Sequence, residues 1–133
     1  MKINQSTVSL TVTDLEETEK FLTDFFGFSV VFTAEGFTAL MHRDTELGIA
    51  LHKRGLEVLP PEQRDVPTQA VTLVFTVDDV EAEERWLREA GANVTLELTQ
   101  QPWGEKLFQV TDGNGIIVQL LEWGTEPSED TAA

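Results

Sequence analysis

The chain has no cysteine. That excludes disulfides, thiolate metal centres and cysteine nucleophiles, and it fits a reducing compartment, so a cytoplasmic location is expected. Long apolar runs are missing too. None approaches the ~20 residues of a membrane span, so no membrane partner is expected. The opening MKINQSTVSL holds one lysine and no apolar core, and does not read as a secretory signal. Basic charge is scarce: nine Lys and Arg stand against 24 Asp and Glu, a net charge of −15. Nine scattered cations make no phosphate-binding stripe, which argues against nucleic acid as a partner. The acidity speaks to solubility, and to long-range attraction of cationic ligands, rather than to fold. Phosphate loops, dinucleotide glycine fingerprints and nucleophile elbows are also lacking. The acidic clusters Glu16-Glu17-Glu19 and Glu81-Glu83-Glu84 fall largely on exposed helix faces, and nothing in their spacing makes carboxylates converge for acid–base work.

What is present is one domain's length of chain, 133 residues, that repeats itself. VSLTVTDLEETEKFL (8–22) lies over LVFTVDDVEAEERWL (73–87), with Val12 matching Val77, Asp14 matching Asp79, Phe21 matching Trp86 and Leu22 matching Leu87. Each copy opens with period-2 alternation (Val8, Leu10, Val12; Leu73, Phe75, Val77), the mark of a half-buried strand. Each then changes to helical spacing, with Leu15, Thr18, Leu22 and Phe25 on one stripe and Val80, Leu87 and Ala90 on the other. Thr13 or Asp14, and Asp78 or Asp79, are placed to cap the helices, and Gly27 and Gly91 to end them. Phe25, Phe26 and Trp86 read as core residues on helix faces. Strands are expected near 29–34, 37–42 and 47–52, then 93–99, 106–111 and 116–122, with tight turns at Glu35-Gly36, Arg43-Asp44 and Asp112-Gly113-Asn114-Gly115. The fold class is therefore α+β: tandem βαβββ modules, about 3–58 and 68–123, with a proline-bearing linker at 59–67. Residues 1–124 are expected to form one domain, and 125–133 a polar, acidic tail that frays.

LTVTDLEETEKFLTDFFGF and PWGEKLFQVTDGNGIIVQL resemble the opening and closing signatures of the vicinal oxygen chelate superfamily, the glyoxalase, bleomycin-resistance and extradiol-dioxygenase group. The resemblance covers about residues 3 to 123. It implies an open, barrel-like curved sheet around a pocket, often completed by a homodimer. It also implies four metal-ligand positions in the metal-dependent members, two per module. Here these fall on Thr7, Ala50, Thr72 and Gln119, where the family's enzymes keep His, Gln or Glu.

Two hydroxyls, a methyl and an amide carry no negative charge and no imidazole, so they would not offset the cost of dehydrating a divalent ion. His42, beside Arg43-Asp44, reads as solvent-facing. His52 lies two residues beyond Ala50 and shares its face, so it borders the expected pocket. Neither completes a metal site, and no metal or other cofactor is expected. What remains is a pocket of hydroxyls and an amide with aromatic walls, drawn from Phe32, Phe37, Trp103 and Phe108. Trp103 is read either as a lid over the cavity or as a packing residue, and Trp123 as an edge or interface residue. The expected ligand-binding set is thus Thr7, Phe32, Phe37, Ala50, His52, Thr72, Trp103, Phe108 and Gln119. The resulting expectation is metal-independent binding of a small, cationic or aromatic organic molecule, as in antibiotic sequestration. The alternatives are a metal-dependent lyase, isomerase or dioxygenase of the same group, or a non-catalytic accessory module.

Overall fold

The change from alternating to helical spacing occurs twice in the computed structural model, where the pattern places it. The structure describes residues 1–124, and the expected tail 125–133 lies outside the described residues. The chain divides into two compact units, the first Met1–Gln69 and the second beginning at Ala70. The first runs β1 (Ser6–Val12), α1 (Leu15–Lys20) with a π-helical turn (Phe21–Phe25), β2 (Ser29–Ala34), β3 (Phe37–Met41) and β4 (Leu47–Lys53). The second runs β5 (Thr72–Thr76), α2 (Val80–Glu89), β6 (Val94–Gln100), β7 (Glu105–Thr111) and β8 (Ile117–Trp123). Both have the same topology. The sheets are ordered β1-β4-β3-β2 and β5-β8-β7-β6, with the first pair of each parallel and the rest antiparallel. The fold is α+β, built of two βαβββ modules.

Each helix starts on an aspartate. Asp14 accepts from the Glu17 N–H at 3.3 Å, and Asp79 from the Ala82 N–H at 3.0 Å. On α2 a second acid helps: Glu122 of β8 accepts from the Val80 N–H at 2.9 Å, satisfying another orphan donor of the first turn. Each helix stops at a glycine in the left-handed region, Gly27 at φ +74° and Gly91 at φ +92°. The residue after each turns its N–H back onto the helix, Phe28 to Leu22 at 3.2 Å and Ala92 to Leu87 at 2.9 Å.

One face of each sheet carries the helix and the apolar half of the alternation. In the first unit Leu10, Val12, Leu22, Leu40, Ile49 and Leu51 are buried, and in the second Val80, Leu87, Phe108, Val110 and Val118. Each such side chain contributes about 1.5–3 kcal/mol of burial. Two expectations change here. Trp86 is 49% exposed and not core, because it precedes Leu87 by about 100° of helix rotation and falls off the buried stripe. Its counterpart Phe21 is buried, where the π-helical turn begins, and meets Phe26 edge-on with centroids 5.1 Å apart; Phe25 and Phe26 are half-buried. His42 does not face solvent freely. Its ring packs edge-on against Phe28 at 5.2 Å, and Nδ1 accepts from the Asp44 N–H at 3.0 Å.

The segment read as a linker belongs to the first unit. Gly55 donates to the Arg64 carbonyl, Arg54 pairs with Asp65 at 3.1 Å, and Arg64 reaches the Leu59 carbonyl at 2.8 Å. Thr68 then clamps the outer edge of β1 twice, each contact at 2.8 Å: its N–H donates to the Thr11 carbonyl, and its Oγ1 accepts from the Thr11 N–H.

Candidate functional site

The sheet faces opposite the helices hold most of the expected site residues. In the first unit the strand register sets Thr7 beside Gly48, Ser9 beside Ala50, and Thr11 beside His52. It continues across the sheet from Ala50 to Ala39 and from Ala39 to Phe32. One transverse row is therefore Ser9, Ala50, Ala39, Phe32: a floor of small side chains ending in a phenylalanine that is 59% exposed. Phe37 sits beside His52 in register and meets Phe32 edge-on at 6.1 Å. Gly48 is closely packed: a Cβ there would lie 3.0 Å from Met41 Sδ and 3.1 Å from Thr7 Oγ1, so those side chains would have to give by a few tenths of an ångström.

His52 is buried, and its Nδ1 lies 3.3 Å from the Thr11 hydroxyl. Burial disfavours the imidazolium and lowers its pKa from 6.5, so the ring is neutral at physiological pH. It lines a cleft of about 410 Å³ within the first unit, with Ser9 and Thr11 from the sheet and Leu59, Gln63, Val66, Pro67, Thr68 and Gln69 from the connecting segment. Among the described residues no carboxylate and no cation lines this cleft, although the chain carries 24 acids. Its chemistry is that of hydroxyls, amides and one neutral imidazole.

In the second unit the equivalent row is Val74, Gln119, Gln109, Leu96. Gln119, the one polar residue in the aliphatic run Ile116–Leu121, faces Gln109 directly, and Gln109 Nε2 donates to Gln119 Oε1 at 2.8 Å. Thr72 lies one diagonal step from Gln119, as Thr7 does from Ala50. Phe108 is the exception among the expected walls. It is fully buried on the opposite face with Val110 and Val118, so it belongs to the helix-side core and the structure separates it from Gln119. Alternation predicts this, because Phe108 is one residue from Gln109. Trp103 lies in the turn before β7, closed by the Gly104 N–H to Gln101 carbonyl bond at 2.9 Å, and is 49% exposed; Trp123 is 55% exposed.

The donor chemistry at the four family positions does not fit a divalent cation. Ala50 offers no donor atom, Thr7 and Thr72 offer neutral hydroxyls, and the Gln119 carbonyl oxygen already accepts from Gln109. No group of three His, Asp or Glu side chains suited to a metal is formed among the described residues.

Sequence reasoning missed Gln109, Gln63 and Thr68. Gln109 was within reach: a hairpin that pairs Thr111 with Ile117 must pair Gln109 with Gln119. Gln63 and Thr68 had no signal, since their segment reads only as a proline-bearing connection.

Two mixed four-stranded sheets, each from a βαβββ module, define the glyoxalase-type architecture. The family profile described as Glyoxalase/Bleomycin resistance protein/Dioxygenase superfamily matches residues 3–120, and the chain belongs to that superfamily. Among curated protein sequences none matches it. Among solved structures it resembles a glyoxalase/bleomycin resistance protein/dioxygenase from Nocardioides, with TM-score 0.78 and 15% identity over 96% of this chain and 89% of that one. It also resembles TnmS3, an antibiotic binding protein from Streptomyces sp. CB03234, with TM-score 0.71 and 22% identity over 93% and 99% of the two chains. A third is TioX from Micromonospora sp. ML1, with TM-score 0.74 and 19% identity over 91% and 99%. At these identities the likenesses show the fold alone. No described helix is long and apolar enough to cross a membrane.

Proposed function

We propose that the chain binds a small organic molecule without a metal and without transforming it, as an antibiotic-sequestering protein would. The observation that carries this reading is the donor set: where the superfamily's enzymes hold a metal, this chain has Thr7, Ala50, Thr72 and an already bonded Gln119. The helix-free faces supply what a binding site needs instead. They offer small floor residues, exposed aromatic and aliphatic side chains at Phe32, Val74 and Leu96, and a neutral polar cleft at His52. The similarity to TnmS3 is compatible with it. The excess of acids favours capture of a cationic ligand by long-range attraction, while contact within the cleft is by hydrogen bonds and packing. Action in the cytoplasm as a homodimer is part of the same proposal; the edge strand β2, with Val30, Val31 and Phe32 all more than 40% exposed, supports a second copy as the cover.

Tryptophan fluorescence tests it. A panel of planar cationic, bleomycin-like and mitomycin-like compounds is expected to quench or shift the emission saturably with at least one member, and silence across the panel overturns the proposal. Metal analysis addresses the enzyme reading: a stoichiometric divalent ion that survives dialysis overturns the metal-free assignment.

A further inference from the structure

The Gln109–Gln119 pair carries more than its own hydrogen bond. Each glutamine amide has two N–H donors and a carbonyl that accepts. The bond between them uses one donor of Gln109 and one acceptor site of Gln119. That leaves the Gln109 carbonyl with one N–H of its own, and both Gln119 N–H groups, side by side at the centre of the sheet. Exchanging N and O in both amides reverses the bond and leaves the same complement, one free acceptor beside one free donor. Both residues are half-buried, and among the described residues no fully buried side-chain nitrogen or oxygen lacks a partner, so these groups reach solvent.

Their surroundings give the pair a shape. Val74 flanks Gln119 in register and Leu96 flanks Gln109, so the row across all four strands reads apolar, amide, amide, apolar. Val74 is 48% exposed and Leu96 39% exposed. Leu107 and Leu121, the next cross-strand pair on the same face, are buried within the chain and bound the row on that side. Strands lie about 4.8 Å apart, so the row spans roughly 14 Å, the length of a two- or three-ring planar molecule. An amide pair serving only cross-strand pairing does not call for exposed aliphatic ends. A flat ligand with a polar edge in its middle calls for both.

We propose that this row is the specificity element of the binding site, and that it recognises a planar ring system carrying an adjacent N–H donor and carbonyl acceptor: a lactam, cyclic imide or ring carboxamide. The ligand's N–H donates to the Gln109 carbonyl, its carbonyl accepts from the Gln119 amide, and its rings cover the exposed Val74 and Leu96. The inference rests on the small-molecule-binding reading and narrows it to a ligand class. A site built to hydrogen-bond a group discriminates against an analogue lacking it, because its own polar atoms are then desolvated without a partner.

Isoindolin-1-one and phthalide test this directly, since they differ only by a ring N–H against a ring oxygen. Titration of the uniformly ¹⁵N-labelled full chain is followed on the side-chain NH₂ resonances, assigned from Gln109→Leu and Gln119→Leu. The lactam is expected to move the Gln109 and Gln119 resonances saturably and to bind at least about fivefold more tightly than the lactone, a ratio matching one lost hydrogen bond. Gln109→Leu is expected to abolish that preference, and Gln119→Leu to weaken lactam and lactone alike. Equal binding of lactam and lactone to the unmodified chain overturns the inference while leaving small-molecule binding intact. Lactam binding that leaves the two glutamine resonances unmoved overturns it as well. Failure of both probes, with a silent fluorescence panel, overturns both readings.

Discussion

Replacing Thr68 by valine removes one hydrogen-bond acceptor and little volume. The Thr11 amide it serves lies on a residue only 4% exposed, with the Thr68 Oγ1 at 2.8 Å. An unpaired buried N–H costs about 1–3 kcal/mol, more than the net worth of the bond it loses. The reverse contact, from the Thr68 N–H to the Thr11 carbonyl, is a backbone bond and survives the substitution. The loss therefore falls on local opening of the 54–69 segment rather than on global unfolding. At tenfold per 1.4 kcal/mol, hydrogen exchange at the Thr11 amide is expected to accelerate from roughly fivefold to roughly a hundredfold. Amides of Val12 and Leu22, which the clamp does not touch, are expected to change much less. Thr68→Ser keeps the hydroxyl and is expected to exchange like the unmodified chain. Exchange at Thr11 within twofold of the unmodified rate in Thr68→Val would refute the claim that this clamp fastens the roof of the cleft.

Three further outcomes follow from the placement of single residues. Phe108→Ala is expected to cost about 3–5 kcal/mol in urea unfolding because it empties a fully buried site, while Trp103→Ala stays within about 0.5 kcal/mol; the opposite order would reverse the two assignments. The pKa of His52 is lowered on folding, so the unfolded chain takes up that proton first as pH falls. Its contribution is flat well above pH 6.5, turns destabilising as pH drops through 6.5, and levels off once the folded ring also protonates. Urea midpoints from pH 8 to 5 are expected to show that slope in the difference between the unmodified chain and His52→Gln, and no difference in slope removes the argument. Glu122→Leu takes one acceptor from the first turn of α2 and is expected to cost about 0.5–2 kcal/mol, with faster exchange at the Val80 amide as the local signature.

The fold was legible because every level of the chain agrees. Alternation at Val8-Leu10-Val12, the Asp14 and Asp79 caps and the Gly27 and Gly91 stops all point to the same strand-to-helix change, and the repeat states it twice. Most strand ends fall within a residue of expectation. The site was legible only where strand parity decides. Thr7, Ala50, Thr72 and Gln119 take the helix-free faces that their matches imply, while Phe108 was placed by residue type against its parity and lies in the core. Trp86 shows the same weakness in a helix: it lies one residue off the buried stripe and is exposed despite its apolarity, while its counterpart Phe21 is buried where the π-helical turn begins. The cleft at His52 was half visible, since its roof comes from a segment whose prolines announce a connection and say nothing of where it returns. The Thr68 clamp depends on a contact 57 residues away in sequence, and no local pattern encodes it.

The two equivalent rows show one architecture carrying two different sets of side chains. In the first unit the row is Ser9, Ala50, Ala39, Phe32, and in the second it is Val74, Gln119, Gln109, Leu96. The strand partners correspond one for one, so the backbone cannot account for the difference. The central pair is two methyls in one case and two amides in the other. Methyls leave room above the sheet and offer no directional contact; amides fill that room and fix an orientation. An amide at Gln119 alone would carry a desolvation cost in an aliphatic strand. Gln109 removes much of that cost by satisfying the Gln119 carbonyl, and leaves the outward donor and acceptor in place. A residue that would be a liability alone becomes tolerable as half of a pair, and the pair keeps the capacity to bind that a lone, self-satisfied side chain would lose.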